Sequence, residues 1–183
     1  MNTVFPSQFP HVLTQRLALG KITGSDAHAL YDLYSDERVM KFHGRPVLGA
    51  AEETEKIIFG WRRLFATEKG IRWGIRFRGG EKIIGTIGVR CSAEHRRAET
   101  GYELAPALWN QGIMTEALGA VTDYVFTQMN FETIEANIAP GNTASQRVLE
   151  KAGFRQEAHF RSNYFYEGWW DSVVFSLSRE TRR

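Results

Sequence analysis

Cysteine is almost absent from this chain. Cys91 stands alone, which excludes an internal disulfide and leaves no thiolate cluster for a metal. The 5 histidines are scattered rather than spaced as ligands or paired with a nucleophile, so no metal centre is expected. A dominant charge is missing too. With 23 basic and 21 acidic side chains, the formal charge is +2, too small for the clustered basic face of a nucleic-acid binder. The basic tail Arg179, Arg182 and Arg183 is interrupted by Glu180 and reads as a solvated terminus. No apolar run approaches the roughly 18 residues that span a bilayer. Nor does the N-terminus show a basic region followed by an apolar stretch, so no membrane partner is expected and the cytoplasm is the expected location. Repeats, low-complexity blocks and Pro/Ser-rich linkers are also lacking. At 183 residues, the chain is therefore expected to form one domain, 1–183, large enough to bury a core. Residues 1–12, with Pro6 and Pro10, read as an irregular lead-in.

Periodicity supplies what composition cannot. Arg16 to Ile22 alternates as a strand, and Ser25 or Asp26 suits the cap of a helix carrying Leu30, Leu33 and Tyr34. Ser35 to Ala50 reads as a loop, with Gly44, Pro46 and Gly49. Glu52 to Thr67 is helical, with Ile57, Ile58, Trp61, Leu64 and Phe65 on one stripe, and Gly70 is expected to stop it. Trp73, Ile75 and Phe77 alternate, Gly79-Gly80 makes a hairpin turn, and Lys82 to Arg90 and Thr100 to Ala105 follow as strands. A helix from Gly112 carries Met114, Leu118, Val121 and Val125. Phe131 to Ala139 is a strand, and Phe154 to Phe160 and Ser172 to Leu177 close the chain. Hairpins combined with one strand–helix–strand unit predict a mixed sheet flanked by helices.

Two segments carry chemistry. Gly101 to Ala117, GYELAPALWNQGIMTEA, runs from a strand through a polar turn (Trp109, Asn110, Gln111, Gly112) into a helix. Backbone N–H groups are unpaired at a helix start and lie at its positive end, the arrangement that holds phosphate or pyrophosphate. A glycine before a helix is also an ordinary turn. Asn142 to Phe154, NTASQRVLEKAGF, reads as a short helix with Asn142 at the N-cap, Gly153 at the left-handed C′ position and Phe154 folding back on Leu149.

In these two motifs the chain resembles the GCN5-related N-acetyltransferases (GNAT). Its closest resemblance is to the branch containing RimJ/RimL-like ribosomal-protein N-terminal acetyltransferases. The opening LTQRLALGKITGSDAHAL and the ending with Gly168, Trp169 and Asp171 before an apolar strand are similar to that branch, so the likeness runs from about Leu13 to Leu177. The resemblance implies an α/β (α+β) fold with a mixed, mostly antiparallel sheet of about seven strands, a splayed parallel pair and about four flanking helices. It implies acetyl-CoA as cofactor, with backbone groups of Glu103, Leu104 and Ala105 on the pantetheine arm or the thioester carbonyl. The N–H groups of Gln111, Gly112, Ile113, Met114, Thr115 and Glu116 would hold the pyrophosphate, with Asn142 and Ser145 as further cofactor contacts. The bland alternative is that Asn142 and Ser145 only cap their helix.

The sequence departs from the family at four points, one being Trp109, where many members carry Gln or Arg. Asn110 replaces a usual glycine, Met114 a small residue, and Leu149 stands where many members carry a tyrosine acid. Ser145 is then the candidate to protonate or hydrogen-bond the leaving thiolate, whose pKa near 8.5 makes it a tolerable leaving group. Leu104 is the candidate oxyanion donor. Glu99, before the Gly-Tyr pair, is the candidate general base, with Glu103 second on the same strand face. An exposed Glu99 paired with Arg96 or Arg97 is the alternative. The implied reaction is direct acetyl transfer to a primary amine, most simply a protein N-terminal α-amine. A small-molecule amine or a non-catalytic CoA-binding protein are the alternatives. A homodimer is compatible with the resemblance and is not indicated by the sequence.

Overall fold

The computed structural model describes residues 3–182. Its elements are β1 (Val12–Leu13), β2 (Leu17–Gly20), α1 (Ala27–Tyr34), α2 (Glu37–Met40), α3 (Glu53–Ala66), β3 (Gly70–Phe77), β4 (Gly85–Ser92), β5 (Arg97–Leu104), α4 (Ile113–Thr127), β6 (Thr133–Ile138), α5 (Thr143–Lys151), β7 (Arg155–Phe165) and β8 (Trp169–Ser178). All eight strands join one sheet, in the order β1-β2-β3-β4-β5-β6-β8-β7. Neighbours are antiparallel except β5 and β6, which are parallel and pair only from Arg97–Thr133 to Glu99–Glu135. Beyond Glu99 the two strands part.

Alternation along the strands assigns each face a core. On one face Ile71, Trp73, Ile87, Val89 and Ala98 pack against Leu118, Val121 and Val125 of α4. On the other, Ile22 and Ile83 pack against Leu30 and Leu33 of α1 and Ile58 of α3. That second face becomes polar toward β5, and the site lies there.

Several expectations are corrected. The sheet has eight strands because the lead-in ends in β1, which pairs with β2. Residues 3–11 are irregular yet fastened: Val4 N–H donates to Met129 O at 3.0 Å, and Trp73 Nε1–H to Pro10 O at 2.9 Å. The expected loop 35–50 contains α2, capped by the Asp36 carboxylate, which accepts from Arg38 N–H. Gly70 does not stop α3, which ends at Ala66 with Glu68 left-handed behind it. Gly70 opens β3, where a Cβ would lie 2.3 Å from the Val89 carbonyl oxygen. The tail is not free either: Arg179 donates to Phe126 O and Phe131 O, and Arg182 pairs with Asp123. Arg183 lies outside the described residues.

The α5 ending matches its expected form. Phe154 N–H donates to Leu149 O and Gly153 N–H to Glu150 O, both at 3.0 Å, which is a Schellman ending. Gly153 has φ +87, and a Cβ there would meet only Leu177 Cδ1, at 3.6 Å. Gly153→Ala is therefore expected to cost about 1–2 kcal/mol through backbone strain alone, read as a lower midpoint with unchanged slope in urea unfolding.

Candidate active site

The splay leaves backbone groups of β5 without a strand partner. Ala105 N–H donates to Ile84 O at 2.9 Å, on the β4 side, and Glu103 is the register partner of Thr86 in the same ladder. Alternation then turns the backbone N–H of Leu104 the other way, toward the gap between β5 and β6. Of the expected trio, Glu103 and Ala105 thus have their N–H groups turned to β4, and Leu104 alone turns its N–H into the gap. Trp109 Nε1–H donates to Leu104 O at 2.8 Å, which ties the turn after β5 to the strand end.

At the start of α4, Asn110 (φ 61) and Gly112 (φ 71) are both left-handed. Asparagine tolerates that region better than other side chains, which explains how it replaces a glycine here. Gly112 caps α4, and the backbone N–H groups of Gln111, Gly112, Ile113, Met114 and Thr115 precede the first intrahelical bond. Glu116 is corrected: its N–H already donates to Gly112 O at 3.0 Å. Its carboxylate instead accepts from Thr14 Oγ1 at 2.6 Å and from Arg16 N–H at 2.9 Å and Nε at 2.5 Å. Arg16 also donates to Gln111 O at 3.0 Å, which brings a guanidinium beside the turn; sequence reading had passed it over. Met114 is buried in the core and does not obstruct its own N–H.

Asn142 accepts from Ser145 N–H at 3.2 Å, the expected cap. The Ser145 carbonyl accepts from Tyr102 Oη at 3.3 Å, which joins α5 to β5 across the splay. Burial pushes the Tyr102 phenol up, and its hydroxyl is occupied, so it reads as core. Cys91 is also pushed up by burial, to about 12, an inert thiol.

The two glutamates of β5 share a face but not an environment. Between them Gly101 and its register partner Gly88 leave room for the Arg72 side chain, which lies over both and donates from Nη1 to Gly101 O at 2.9 Å. Glu103 is buried, its side chain 9% exposed, and ion-paired with Arg72. It also accepts from Tyr34 Oη at 2.9 Å, Thr86 Oγ1 at 2.7 Å and His43 Nε2 at 3.0 Å. Burial alone would raise this carboxyl, but the Arg72 charge, helped by the His43 and Thr86 bonds, holds it well below the usual carboxylate range. Glu103 is consequently a poor proton acceptor. The other ring nitrogen of His43, Nδ1, is buried and has no hydrogen-bond partner among the described residues.

Glu99 is exposed and accepts from Asn137 Nδ2 of β6 at 3.1 Å. The alternative pairing with Arg96 or Arg97 does not form, because those arginines pair with Glu132 and Glu135. Glu99 lines a cavity of 450 Å³ together with Phe42, His43, Arg90, Asn137 and Trp170. Tyr164 Oη donates to Gly44 O at 2.8 Å and ties the 42–45 loop to β7 over it.

A sheet split at its one parallel pair, a left-handed turn of free N–H groups and a carboxylate-lined cavity on the opposite face define an acyl-thioester-dependent transferase. The chain belongs to the GNAT acetyltransferases: the family described as "Acetyltransferase (GNAT) domain" matches residues 16–155. It is similar to the "Uncharacterized N-acetyltransferase YoaA" of Bacillus subtilis (strain 168), at 36% identity over 171 residues, 92% of this chain and 97% of the relative. It is also similar to the [ribosomal protein uS5]-alanine N-acetyltransferase of Escherichia coli (strain K12), at 26% identity over 90% of this chain and 89% of the relative. A solved GNAT-family acetyltransferase from Bacillus anthracis superposes with a TM-score of 0.84 at 27% identity, covering 93% of this chain and 99% of the other. The protein is an acetyl-CoA-dependent N-acetyltransferase. Among the described residues no helix is long and apolar enough to cross a membrane.

Proposed function

We propose that the chain transfers acetyl from acetyl-CoA directly to a protein N-terminal α-amine, in the cytoplasm, as a single catalytic domain. The observation that carries this reading is the contrast between the saturated Glu103 and the reachable Glu99. Acetyl-CoA supplies an already activated acetyl group, so the protein has only to position it, accept charge and move protons.

In this reading the N–H groups of Gln111 to Thr115 hold the pyrophosphate at the positive end of α4, and Asn142 and Ser145 flank the pantetheine arm. Glu99, directly or through a water, takes the proton of the incoming ammonium. The amine nitrogen bonds to the carbonyl carbon, Leu104 N–H donates to the carbonyl oxygen as negative charge develops there, and the carbon–sulfur bond breaks. Ser145 hydrogen-bonds the departing sulfur, or protonates it while taking the second proton lost by the amine nitrogen, so that a neutral amide and the CoA thiol are left. An exposed carboxylate is a weak base, and this favours an amine that is partly neutral beforehand. At pH 7 an α-amine is roughly a tenth neutral, whereas lysine is about a thousandth or less. The similarity to a ribosomal-protein alanine acetyltransferase supports the same choice.

The test is CoA release with a lysine-free peptide beginning with Ser or Ala, its N-terminus free or blocked. Release is expected only with the free peptide. Release from neither, with turnover of small amines, would overturn the N-terminal assignment and leave a small-molecule acetyltransferase.

A further inference from the structure

We infer that the acceptor carries a carboxylate or phosphate close to its amine, no further away than the side chain of a peptide's second residue, and that Arg90 and Arg45 bind this anion. The inference rests on the amine-transfer reading above and deepens it. Glu99 and Arg90 are direct register partners on β5 and β4, so their side chains leave the same face about 5 Å apart. They nonetheless form no ion pair: Glu99 leans to Asn137 of β6, and the exposed Arg90 side chain has no partner among the described residues. Arg45, from the loop that Tyr164 fastens, lines the same cavity and is likewise exposed, with no partner among the described residues. Glu99 apart, the acidic groups in or beside the cavity are matched by other partners. Asp171 accepts from Ser162 N–H and faces His159 Nε2, both at 2.9 Å, while Glu103 is matched by Arg72 and bonded to His43. Lys41 adds a further cation beside Phe42, Trp170 and Asp171 in the adjoining cavity.

The wall therefore offers one carboxylate for an amine and, beside it, two uncommitted guanidinium groups. Guanidinium is the side chain best shaped for two-point contact with carboxylate or phosphate. A polyamine would meet this positive field with nothing to answer its second charge. Two sources share the required chemistry: a peptide with an acidic residue behind its N-terminus, and a small amino acid or amino phosphate.

The experiment compares matched acceptors. C-terminally amidated Ser-Glu-Gly against Ser-Gln-Gly forms the peptide arm, O-phosphoethanolamine against ethanolamine the small-molecule arm, and spermine is the polycation. Each is assayed for turnover and titrated calorimetrically into the CoA-loaded protein. The acidic member of at least one pair is expected to exceed its neutral partner about tenfold in kcat/KM, mainly through KM. That acidic-to-neutral ratio is expected to fall toward one in the Arg45→Ala/Arg90→Ala variant and to survive in Arg90→Lys. Preference in one arm alone identifies the source. Equal use of both members in both pairs, a preference for spermine, or an unchanged ratio in the double variant would overturn the proposal. Absence of turnover with every probe would count against the amine-transfer reading. The titration then decides the anion site separately: tighter binding of an acidic member supports it, and no difference overturns it.

Discussion

Glu103→Gln is expected to lower the unfolding free energy by about 3–5 kcal/mol, because it leaves a buried guanidinium without its counter-charge. The Arg72 side chain is 14% exposed and Glu103 9%, so solvent offers little compensation. For a chain of this size the melting temperature should fall on the order of 10 °C. The amide remains isosteric and can still accept from Tyr34 and Thr86, which isolates the charge from the packing. Replacing both partners, as Arg72→Met with Glu103→Gln, should recover most of the loss, since no orphaned charge then remains. A double variant as unstable as the single one would show that packing, not charge, governs the position.

Acid carries the same information in the wild type. The Glu103 carboxyl lies below its ordinary value in the folded state. Its contribution is therefore full above the unfolded glutamate pKa, about 4.3, and is lost as pH falls below that value toward the depressed folded one. Melting temperature measured between pH 3 and 7 should decline at the acid end more steeply in the wild type than in Glu103→Gln. Parallel curves would remove Glu103 from the acid response.

What the sequence could reveal about this site was decided by how far apart the partners stand. The α5 cap and its Schellman ending are local, so Asn142, Gly153 and Phe154 announced them. Glu116 was equally readable, since a helix beginning at Ile113 commits the fourth N–H by geometry. The surroundings of Glu103 were not, because Arg72, His43 and Tyr34 are 31, 60 and 69 residues away. Without those contacts, strand parity made Glu103 look equivalent to Glu99. Within the loop 35–50, the likeness to an acceptor-site wall marked His43, but its bond to Glu103 and the place of Arg45 in the cavity were hidden for a similar reason: a loop's glycines predict that the chain turns, not which partners its side chains meet. The backbone donors fell between these cases. Family resemblance pointed to Glu103, Leu104 and Ala105 together, and only the register with β4 separates the one turned toward the gap from the two committed to the ladder.

Glu99→Gln is expected to reduce kcat/KM by about 10²-fold or more while leaving CoA affinity and stability nearly unchanged. Exposure of Glu99 makes the second half of that statement strong: among the described residues its side chain bonds only to Asn137, and glutamine can keep that bond through its own amide oxygen. Loss of activity alone would not separate a base from a residue that merely orients the acceptor, but the pH profile does. A base is needed only while the acceptor arrives protonated, and an α-amine sheds its proton to water above about pH 8. The ratio of wild-type to variant activity should therefore shrink as pH rises from 7 to 9, because the variant gains from every increment of free amine. An orienting role predicts a constant ratio across that range. Equal turnover at all pH values would remove Glu99 from the mechanism and leave water at the mouth of the cavity as the proton acceptor, with the thioester, the Leu104 N–H and the α4 turn sufficient for transfer.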